Sequence, residues 1–115
     1  MSEKLKILFV CAQNKKRSPT AERIYKNDTR LAVRSAGVRS NAQRVLSESD
    51  LKWADVVFVM EHTHKARIKS RFTGVVPSIQ VLDIPDDFEF MDVELQDTLR
   101  SILDPVISSL VDQGY

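Results

Sequence analysis

Short apolar runs alternate with longer polar stretches along the chain, at the spacing expected for strands and helices that follow one another. Lys6–Val10 is an almost continuous apolar run with β-branched and aromatic members, and polar residues end it abruptly. Such a run is typical of a strand that is buried on both faces of a parallel sheet. Three further strands are predicted at Leu31–Arg34, before Ser35-Ala36-Gly37, at Val56–Met60 and at Ser78–Leu82.

The first two helices are predicted from residues that favour helix starts. Ser18 is a candidate N-cap and Pro19 a candidate first helical residue, for a helix that extends through about Asn27. Ala42–Leu51 contains helical material that is broken or restarts near Ser47. Each of these segments follows a predicted strand and precedes the next one.

Two more helices are predicted in the second half of the chain. Glu61–Arg71 forms a polar helix that ends at Gly74, and residues 83–91 form a long acidic loop. A last helix begins near Asp92, and Pro105 is expected to kink or divide it. The apolar positions of this last helix fall on one face: Leu95, Leu99, Ile102, Leu103, Val106 and Leu110.

The resulting order of elements, β-α-β-α-β-α-β-α, implies a parallel sheet with helices on both faces. The predicted fold class is therefore α/β: a single domain over residues 1–115, built as a three-layer sandwich with a four-stranded parallel sheet, in a flavodoxin-like arrangement. A length of 115 residues suits one domain. Ligands in such folds bind beyond the carboxyl ends of the strands, so we expect the chemistry after the first strand.

Composition excludes several classes of protein. The single cysteine, Cys11, rules out an internal disulfide framework and a metal site of four thiolates. No apolar run approaches the roughly 20 residues of a membrane-spanning helix. The run Ile7–Ala12 is followed by Lys15-Lys16-Arg17, which is the wrong flank for a secretory peptide. We therefore expect a cytoplasmic protein that has no membrane partner.

Charge is distributed unevenly, although the formal net charge is only +1. Residues 1–80 carry 16 basic and 7 acidic residues, whereas residues 81–115 carry one basic residue, Arg100, and 9 acidic ones. One interpretation is that two solvated faces neutralise each other in the fold. The other is a basic surface that attracts anions, with an acidic segment beside it. The chain as a whole is too weakly basic for a typical nucleic-acid-binding protein.

The segment that follows the first predicted strand is Cys11-Ala12-Gln13-Asn14-Lys15-Lys16-Arg17-Ser18-Pro19. A strand-to-helix loop presents successive backbone N–H groups toward one point, and the following helix adds its positive end. Cys11 lies at the base of such an anion pocket, where a thiolate is stabilised. Arg17 is suited to hold two phosphate oxygens at once, and Ser18 to donate a hydrogen bond to the sulfur.

At these residues the sequence resembles the low-molecular-weight protein tyrosine phosphatase family, which has a Cys-x5-Arg-Ser-Pro phosphate loop after its first strand. The resemblance extends over nearly the whole chain. The further matching segments are Ala21-Glu22, Arg34-Ser35-Ala36-Gly37-Val38, Ala54–Glu61 and Asp83-Ile84-Pro85-Asp86-Asp87-Phe88. The last of these segments resembles the acid loop of the family.

The resemblance implies a role for each residue of the loop. The nucleophile is Cys11, the phosphate clamp is Arg17, and the residues that bind phosphate or order the loop are Gln13, Asn14, Lys15, Lys16 and Ser18. Asp86 is the general acid that protonates the leaving group and then activates water, with Asp83 as the alternative acid. The resemblance implies no metal ion and no cofactor.

Several positions depart from the pattern of the family. Gln13 stands where the family usually has glycine, and Lys16 replaces the second cysteine of the loop. Lys15 replaces a residue that is often apolar and lies beside the aromatic ring of the substrate. Asp87 replaces the proline of the Asp-Pro pair. Phe88, which follows directly, is a candidate wall of the substrate pocket.

Simpler interpretations stay open for some of these residues. A lone cysteine such as Cys11 is more often a buried structural thiol than a nucleophile. Lys15-Lys16 is as typical of a solvated loop tip as of a pocket rim that attracts the substrate. Phe88 is either a pocket wall or a core residue that pins the acid loop. His62 and His64 point to nearly opposite faces of a helix, which disfavours zinc binding and favours two solvated side chains.

The predicted function is hydrolysis of phosphomonoesters through a phosphocysteine intermediate, with protein phosphotyrosine as the expected substrate. The expected partners are a phosphorylated protein or a small phosphomonoester, and nucleic acid is not expected. The alternative is a non-catalytic module that binds phosphate or phosphoproteins on the same fold. Arsenate reduction is disfavoured because it uses additional cysteines, and a phosphocarrier because an acid loop would hydrolyse its phosphocysteine.

Overall fold

Strands and helices alternate along the chain in the predicted order. The structure is a computed structural model that describes residues 4–74 and 76–114. The strands are β1 (Leu5–Cys11), β2 (Leu31–Gly37), β3 (Val56–Val59) and β4 (Ser78–Val81). The helices are α1 (Arg17–Tyr25), α2 (Glu48–Trp53), α3 (His62–Arg71) and α4 (Val93–Asp112).

The four strands run parallel in the spatial order β2-β1-β3-β4. β1 pairs with both β2 and β3, so it lies inside the sheet. The register places Cys11, the last residue of β1, opposite Gly37, the last residue of β2. The carboxyl ends of the strands therefore meet at the edge of the sheet from which the Cys11 loop emerges. The predicted α/β fold with a four-stranded parallel sheet is confirmed.

Burial on both faces of β1 explains why its sequence is an unbroken apolar run. One face packs against α1 and α4, and its fully buried residues include Ile7 and Phe9. The other face packs against α2 and α3 through Leu8 and Val10. Because successive side chains of a strand point to opposite faces, a strand between two helical layers needs apolar residues at every position.

The predicted start of the first helix is wrong. Lys16 occupies the N-cap position without a capping hydrogen bond from its side chain, and Ser18 and Pro19 are the second and third residues of α1. The hydroxyl of Ser18 does not cap the helix because it contacts the sulfur of Cys11 and the amide of Asn14 instead. The helix ends at Tyr25, two residues before the predicted end.

The prediction of helical material before Ser47 is also wrong. This segment folds back on the end of β2, where the Gly37 N–H donates to Arg44 O and the Leu46 N–H donates to Gly37 O, both at 2.9 Å. The backbone groups that a helix would use are therefore bonded to a strand. α2 begins after Ser47, which forms a reciprocal capping box with Asp50.

The last helix is not divided at its proline. α4 runs unbroken from Val93 to Asp112, and Pro105 lies on its exposed side. Leu103 and Ile107, on either side of the proline, are fully buried. Burial of this apolar face outweighs the one backbone hydrogen bond that proline removes. Among the described residues, no helix combines the length and apolarity needed to cross a membrane.

Candidate active site

The loop between β1 and α1 has its carbonyl oxygens held by the segment that follows β2. Three backbone hydrogen bonds of 3.0 Å join the two: Val38 N–H to Cys11 O, Arg39 N–H to Ala12 O and Gln43 N–H to Gln13 O. Within residues 4–74 and 76–114, no protein group accepts a hydrogen bond from the backbone N–H groups of residues 13–18. A strand-to-helix loop with unpartnered N–H groups is an anion-binding concavity. The loop therefore fits a phosphate group.

The side chain of Cys11 lies at the base of this loop and is 3% exposed. Its Sγ is 2.9 Å from the Oγ of Ser18, and that oxygen accepts a hydrogen bond of 3.0 Å from Asn14 Nδ2. Ser18 Oγ also donates a longer hydrogen bond of 3.4 Å to Ala36 O, and in its contact with the sulfur either atom can be the donor. The buried Asn14 has a φ of 56°, a left-handed conformation that asparagine tolerates.

Arg17, the first residue of α1, has a side chain that is buried and fixed in place. Its Nη1 donates to Ile84 O at 2.7 Å and to Glu61 Oε2 at 2.5 Å. Its Nε is 3.7 Å from Asp86 Oδ1. The hydrogen bond from Arg17 holds the pKa of Glu61 below its usual range, so Glu61 is a stable carboxylate partner. The guanidinium is thus oriented before any ligand binds.

Glu61 was not identified from the sequence, although a signal was present. It follows the predicted strand Val56–Met60 directly, and polar residues that follow parallel strands collect at the same edge of the sheet. The rule that pointed to the Cys11 loop therefore also applies to Glu61. Periodicity does not show, however, that its carboxylate meets Arg17, which lies 44 positions earlier.

His64 is buried, so the prediction that both histidines are solvated is wrong. It is 4% exposed, and its Nδ1 accepts a hydrogen bond of 3.1 Å from the Glu61 N–H at the start of α3. Burial, together with the nearby positive charge of Arg17, lowers the pKa of His64 from 6.5 to about 4. His64 is therefore a neutral residue that supports the position of Glu61.

We expect the buried His64 to make stability depend on pH. Its pKa is lower in the folded chain than in the unfolded one, so the unfolded chain binds the proton first as the pH falls. The contribution of neutral His64 to the free energy of unfolding is then fully present above about pH 6.5. It decreases as the pH falls toward 4, by up to about 3 kcal/mol. The measurement is the free energy of unfolding in urea between these pH values, for the wild type and for His64→Gln.

Matched variants separate this effect from general acid sensitivity. His64→Gln should flatten the pH dependence, whereas His62→Gln, on the same helix but exposed, should keep the slope of the wild type. An unchanged slope in His64→Gln would contradict the assignment of His64 as the group that titrates.

A cavity of about 290 Å³ opens above the loop at the carboxyl edge of the sheet. The residues that line it are Cys11, Ala12, Gln13, Lys15, Lys16, Arg17, Arg39 and Asp86. The structure thus brings Asp86 to the same cavity as the cysteine. Arg39 was not identified from the sequence, because it comes from the segment after β2, which contacts the loop only in the folded chain.

Two other residues of the acid loop lie outside this cavity. Asp83 has a φ of 57° and its Oδ1 is 3.5 Å from Nε2 of His62. Phe88 packs against the core beside α1 and α4 and does not line the cavity, which matches its alternative interpretation as a core residue. Glu89 does reach the rim, since its Oε2 is 3.1 Å from Lys16 Nζ.

Gly37 is required where β2 passes closest to the loop between β1 and α1. A Cβ at this position would lie 2.6 Å from Ala12 O, 2.6 Å from Ala42 Cβ and 3.0 Å from Asn14 N. Two of these neighbours are backbone atoms of the loop, which cannot turn away as a flexible side chain can. The absence of a side chain here therefore lets the strand and the loop approach each other.

We expect Gly37→Ala to lower the free energy of unfolding by about 1–3 kcal/mol, because the added methyl group displaces the loop. Phosphate binding should weaken as well, since the loop N–H groups lose their common direction. The measurements are urea unfolding and vanadate titration. Gly74→Ala is the matched control, because, its chain neighbours aside, no atom of the described residues lies within 4 Å of its added Cβ. Equal stability of the two variants would contradict this packing argument.

No protein-family model matches the chain, and no curated protein matches it either. Solved structures do match it. The YwlE mutant structure from Bacillus subtilis is 26% identical with a TM-score of 0.67, over 89% of this chain and 98% of that one. The YwlE arginine phosphatase from Geobacillus stearothermophilus is 22% identical with a TM-score of 0.73, and the match covers 96% of this chain and 98% of that one. The low-molecular-weight protein tyrosine phosphatase from T. tengcongensis is 24% identical with a TM-score of 0.67, and the match covers 95% of this chain and 99% of that one.

These structures share the fold of this chain over nearly their whole lengths. Several of the matching structures are named as tyrosine or arginine phosphatases. Others carry only a protein name, such as YfkJ from Bacillus subtilis. The resemblance to low-molecular-weight protein tyrosine phosphatases that the loop motifs predict is confirmed in fold. The identities are those of a divergent chain.

Proposed function

We propose that this chain, which resembles the low-molecular-weight protein tyrosine phosphatases in fold and loop motif, hydrolyses phosphomonoesters through a phosphocysteine intermediate. The proposal rests on one observation: Cys11 Sγ lies at the base of a loop whose N–H groups have no partner within the described residues. A phosphate bound by those N–H groups brings its phosphorus atom over the sulfur. Arg17 adds a fixed positive charge, and the proposed substrate class is protein phosphotyrosine.

In the first step the Cys11 thiolate attacks phosphorus, and the S–P bond forms while the bond to the leaving oxygen breaks. The electron pair of that bond goes to the leaving oxygen, which receives a proton from Asp86. The charge of the transferred phosphoryl group lies on oxygens that face Arg17 and the N–H groups of the loop. The position of Asp86 in the same cavity as Cys11 supports this role.

In the second step water attacks the phosphorus atom of the phosphocysteine. The Asp86 carboxylate takes a proton from the water, the S–P bond breaks, and its electron pair returns to the sulfur. The hydrogen bond from Ser18 Oγ, 2.9 Å from the sulfur, stabilises the departing thiolate. The products are inorganic phosphate and the enzyme in its starting state, so the cycle needs neither a metal ion nor a second thiol.

The charge at the cavity favours phosphotyrosine over phosphorylated arginine. Some of the similar structures are named arginine phosphatases. In this chain Lys15 and Arg39 both line the cavity. They would repel a positively charged guanidinium leaving group, whereas a phenol leaving group carries no positive charge. This difference supports a phenol ester as the substrate.

The proposed function is tested by replacing each candidate acid in turn. Asp86→Asn should lower kcat for phenyl phosphate by about 10²–10⁴-fold, because the phenolate then leaves without a proton. The loss should be smaller for p-nitrophenyl phosphate, whose leaving group is stable as an anion. Asp83→Asn is the matched control, since its carboxylate lies outside the cavity, and it should retain most of the activity.

Each opposing result has a defined meaning. A larger loss in Asp83→Asn than in Asp86→Asn would transfer the acid role to Asp83. Faster hydrolysis of phosphoarginine than of a phosphotyrosine peptide by the wild type would contradict the substrate class. Binding of vanadate by folded wild type without any turnover would support the non-catalytic alternative.

A further inference from the structure

A second depression, of about 340 Å³, lies beside the phosphate-binding cavity. The residues that line it are Val38, Ser40, Arg67, Ser70 and Arg71. The two sites are joined through the chain, because Arg39 lines the first cavity and its neighbours Val38 and Ser40 line the second. A substrate bound at the loop therefore has this depression next to it.

The depression is attached to the phosphate-binding loop by hydrogen bonds. The Val38 N–H donates to Cys11 O at 3.0 Å, and Arg71 Nη1 donates to Val38 O, also at 3.0 Å. Arg71 is thereby tied to the segment that supports the loop. Since a guanidinium has five N–H donors, one hydrogen bond leaves most of its donors available to a ligand.

The arginines of this region lack acidic partners among the residues that the structure describes. Within the part of the chain that the structure describes, Arg39, Arg67 and Arg71 form no salt bridge, whereas Arg17 and Lys16 on the loop both do. Unpaired arginines that are grouped at the mouth of an anion site attract further negative charge. This region is therefore a candidate site for a second anionic group.

The other side of the cavity carries the opposite charge. Asp86 and Glu89 lie there, on the acid loop, and are 63% and 81% exposed at the side chain. The entrance of the cavity is thus positively charged on the side of Arg39 and negatively charged on the side of the acid loop. An extended substrate is expected to bind in the direction that brings its acidic side chains to the arginines.

We propose that Arg67 and Arg71, continuous with Arg39, form a subsite for acidic side chains that flank the phosphorylated residue of a protein substrate. This inference rests on the proposed function, because it assumes that the phosphorylated residue occupies the loop. The occupant is an aspartate or glutamate of the same peptide. The subsite selects acidic phosphopeptides in one chain direction, since the opposite direction brings acidic residues toward Asp86.

Peptide binding to the Cys11→Ser variant tests the subsite without turnover. The probes are fluorescent phosphotyrosine peptides with alanines on both sides, with aspartates before the phosphotyrosine, or with aspartates after it. One of the two acidic peptides should bind about five- to tenfold more tightly than the alanine peptide, as expected for two exposed charge pairs. The gain should decrease when salt is raised to about 0.5 M.

A matched pair of charge reversals locates the effect on α3. Arg67→Glu, in the Cys11→Ser chain, should abolish the preference for the acidic peptide. Lys69→Glu changes the net charge equally on the same helix but does not line the depression, and it should preserve the preference. Loss of the preference in both variants would overturn the subsite in favour of a general charge effect.

The failure of this inference is distinguishable from failure of the proposed function. If wild type hydrolyses phosphotyrosine peptides but all three probes bind equally to Cys11→Ser, the subsite is overturned and the phosphatase proposal stands. If the directional preference is observed while wild type hydrolyses nothing, the subsite stands and the catalytic proposal fails. Binding of none of the probes overturns the subsite.

Discussion

Turnover of aryl phosphates should fall by at least about 10⁴-fold in Cys11→Ser, because removal of a nucleophile leaves only the binding contribution of the site. In the proposed mechanism, the thiolate of Cys11 forms the covalent bond to phosphorus. A serine hydroxyl is not ionised near neutral pH, and here its neighbours are the hydroxyl of Ser18 and the N–H groups of the loop. Among the described residues that line the cavity, none is a histidine that could remove its proton, and the proposed mechanism uses Asp86 as the proton donor in this step.

The same variant should keep the fold and the affinity for phosphate. Cys11 is buried, serine is slightly smaller, and in the proposed site the N–H groups of residues 13–18, rather than the sulfur, bind the anion. The measurements are kcat for p-nitrophenyl phosphate, urea unfolding and competition by inorganic phosphate. Residual turnover within tenfold of the wild type would show that a different group attacks phosphorus.

The second large effect is expected for Arg17→Lys, which should lower kcat/KM by about 10²–10³-fold. The guanidinium donates from one nitrogen to Ile84 O and Glu61, and its remaining N–H groups are available to phosphate oxygens. An ammonium group has three donors at a single point, so it cannot bind both protein partners and two phosphate oxygens in this geometry. Both the binding of phosphate and the stabilisation of the transferred group are therefore lost.

Arg23→Lys is the matched control for this substitution. It makes the same chemical change on the exposed side of the same helix, away from the cavity, and should leave kcat/KM unchanged. Vanadate affinity measured on both variants separates lost binding from lost folding. An Arg17→Lys variant that is folded and within tenfold of the wild type in kcat/KM would remove Arg17 from the proposed phosphate clamp.

The parts of the site that residue spacing alone predicted are contiguous in the sequence, whereas Asp86 was expected only from the family resemblance. The apolar run of β1 requires burial on both faces, and the residues that follow it must form the loop at the carboxyl end of the strand. The contacts among Cys11, Asn14 and Ser18 join residues that lie at most seven positions apart in the sequence. Local spacing restricts such contacts strongly, so residue types and distances along the chain were sufficient to suggest them.

The sequence by itself therefore determined the alternation of strands and helices, the parallel sheet and the location of the anion-binding loop. The tertiary structure alone decided that Glu61 holds Arg17, that His64 is buried behind it, and that Arg39 lines the cavity. These residues follow other strands, and they meet the loop because β1 lies between β2 and β3. Hydrophobic periodicity indicates which residues are buried but not which strands are neighbours, and these contacts depend on the neighbours.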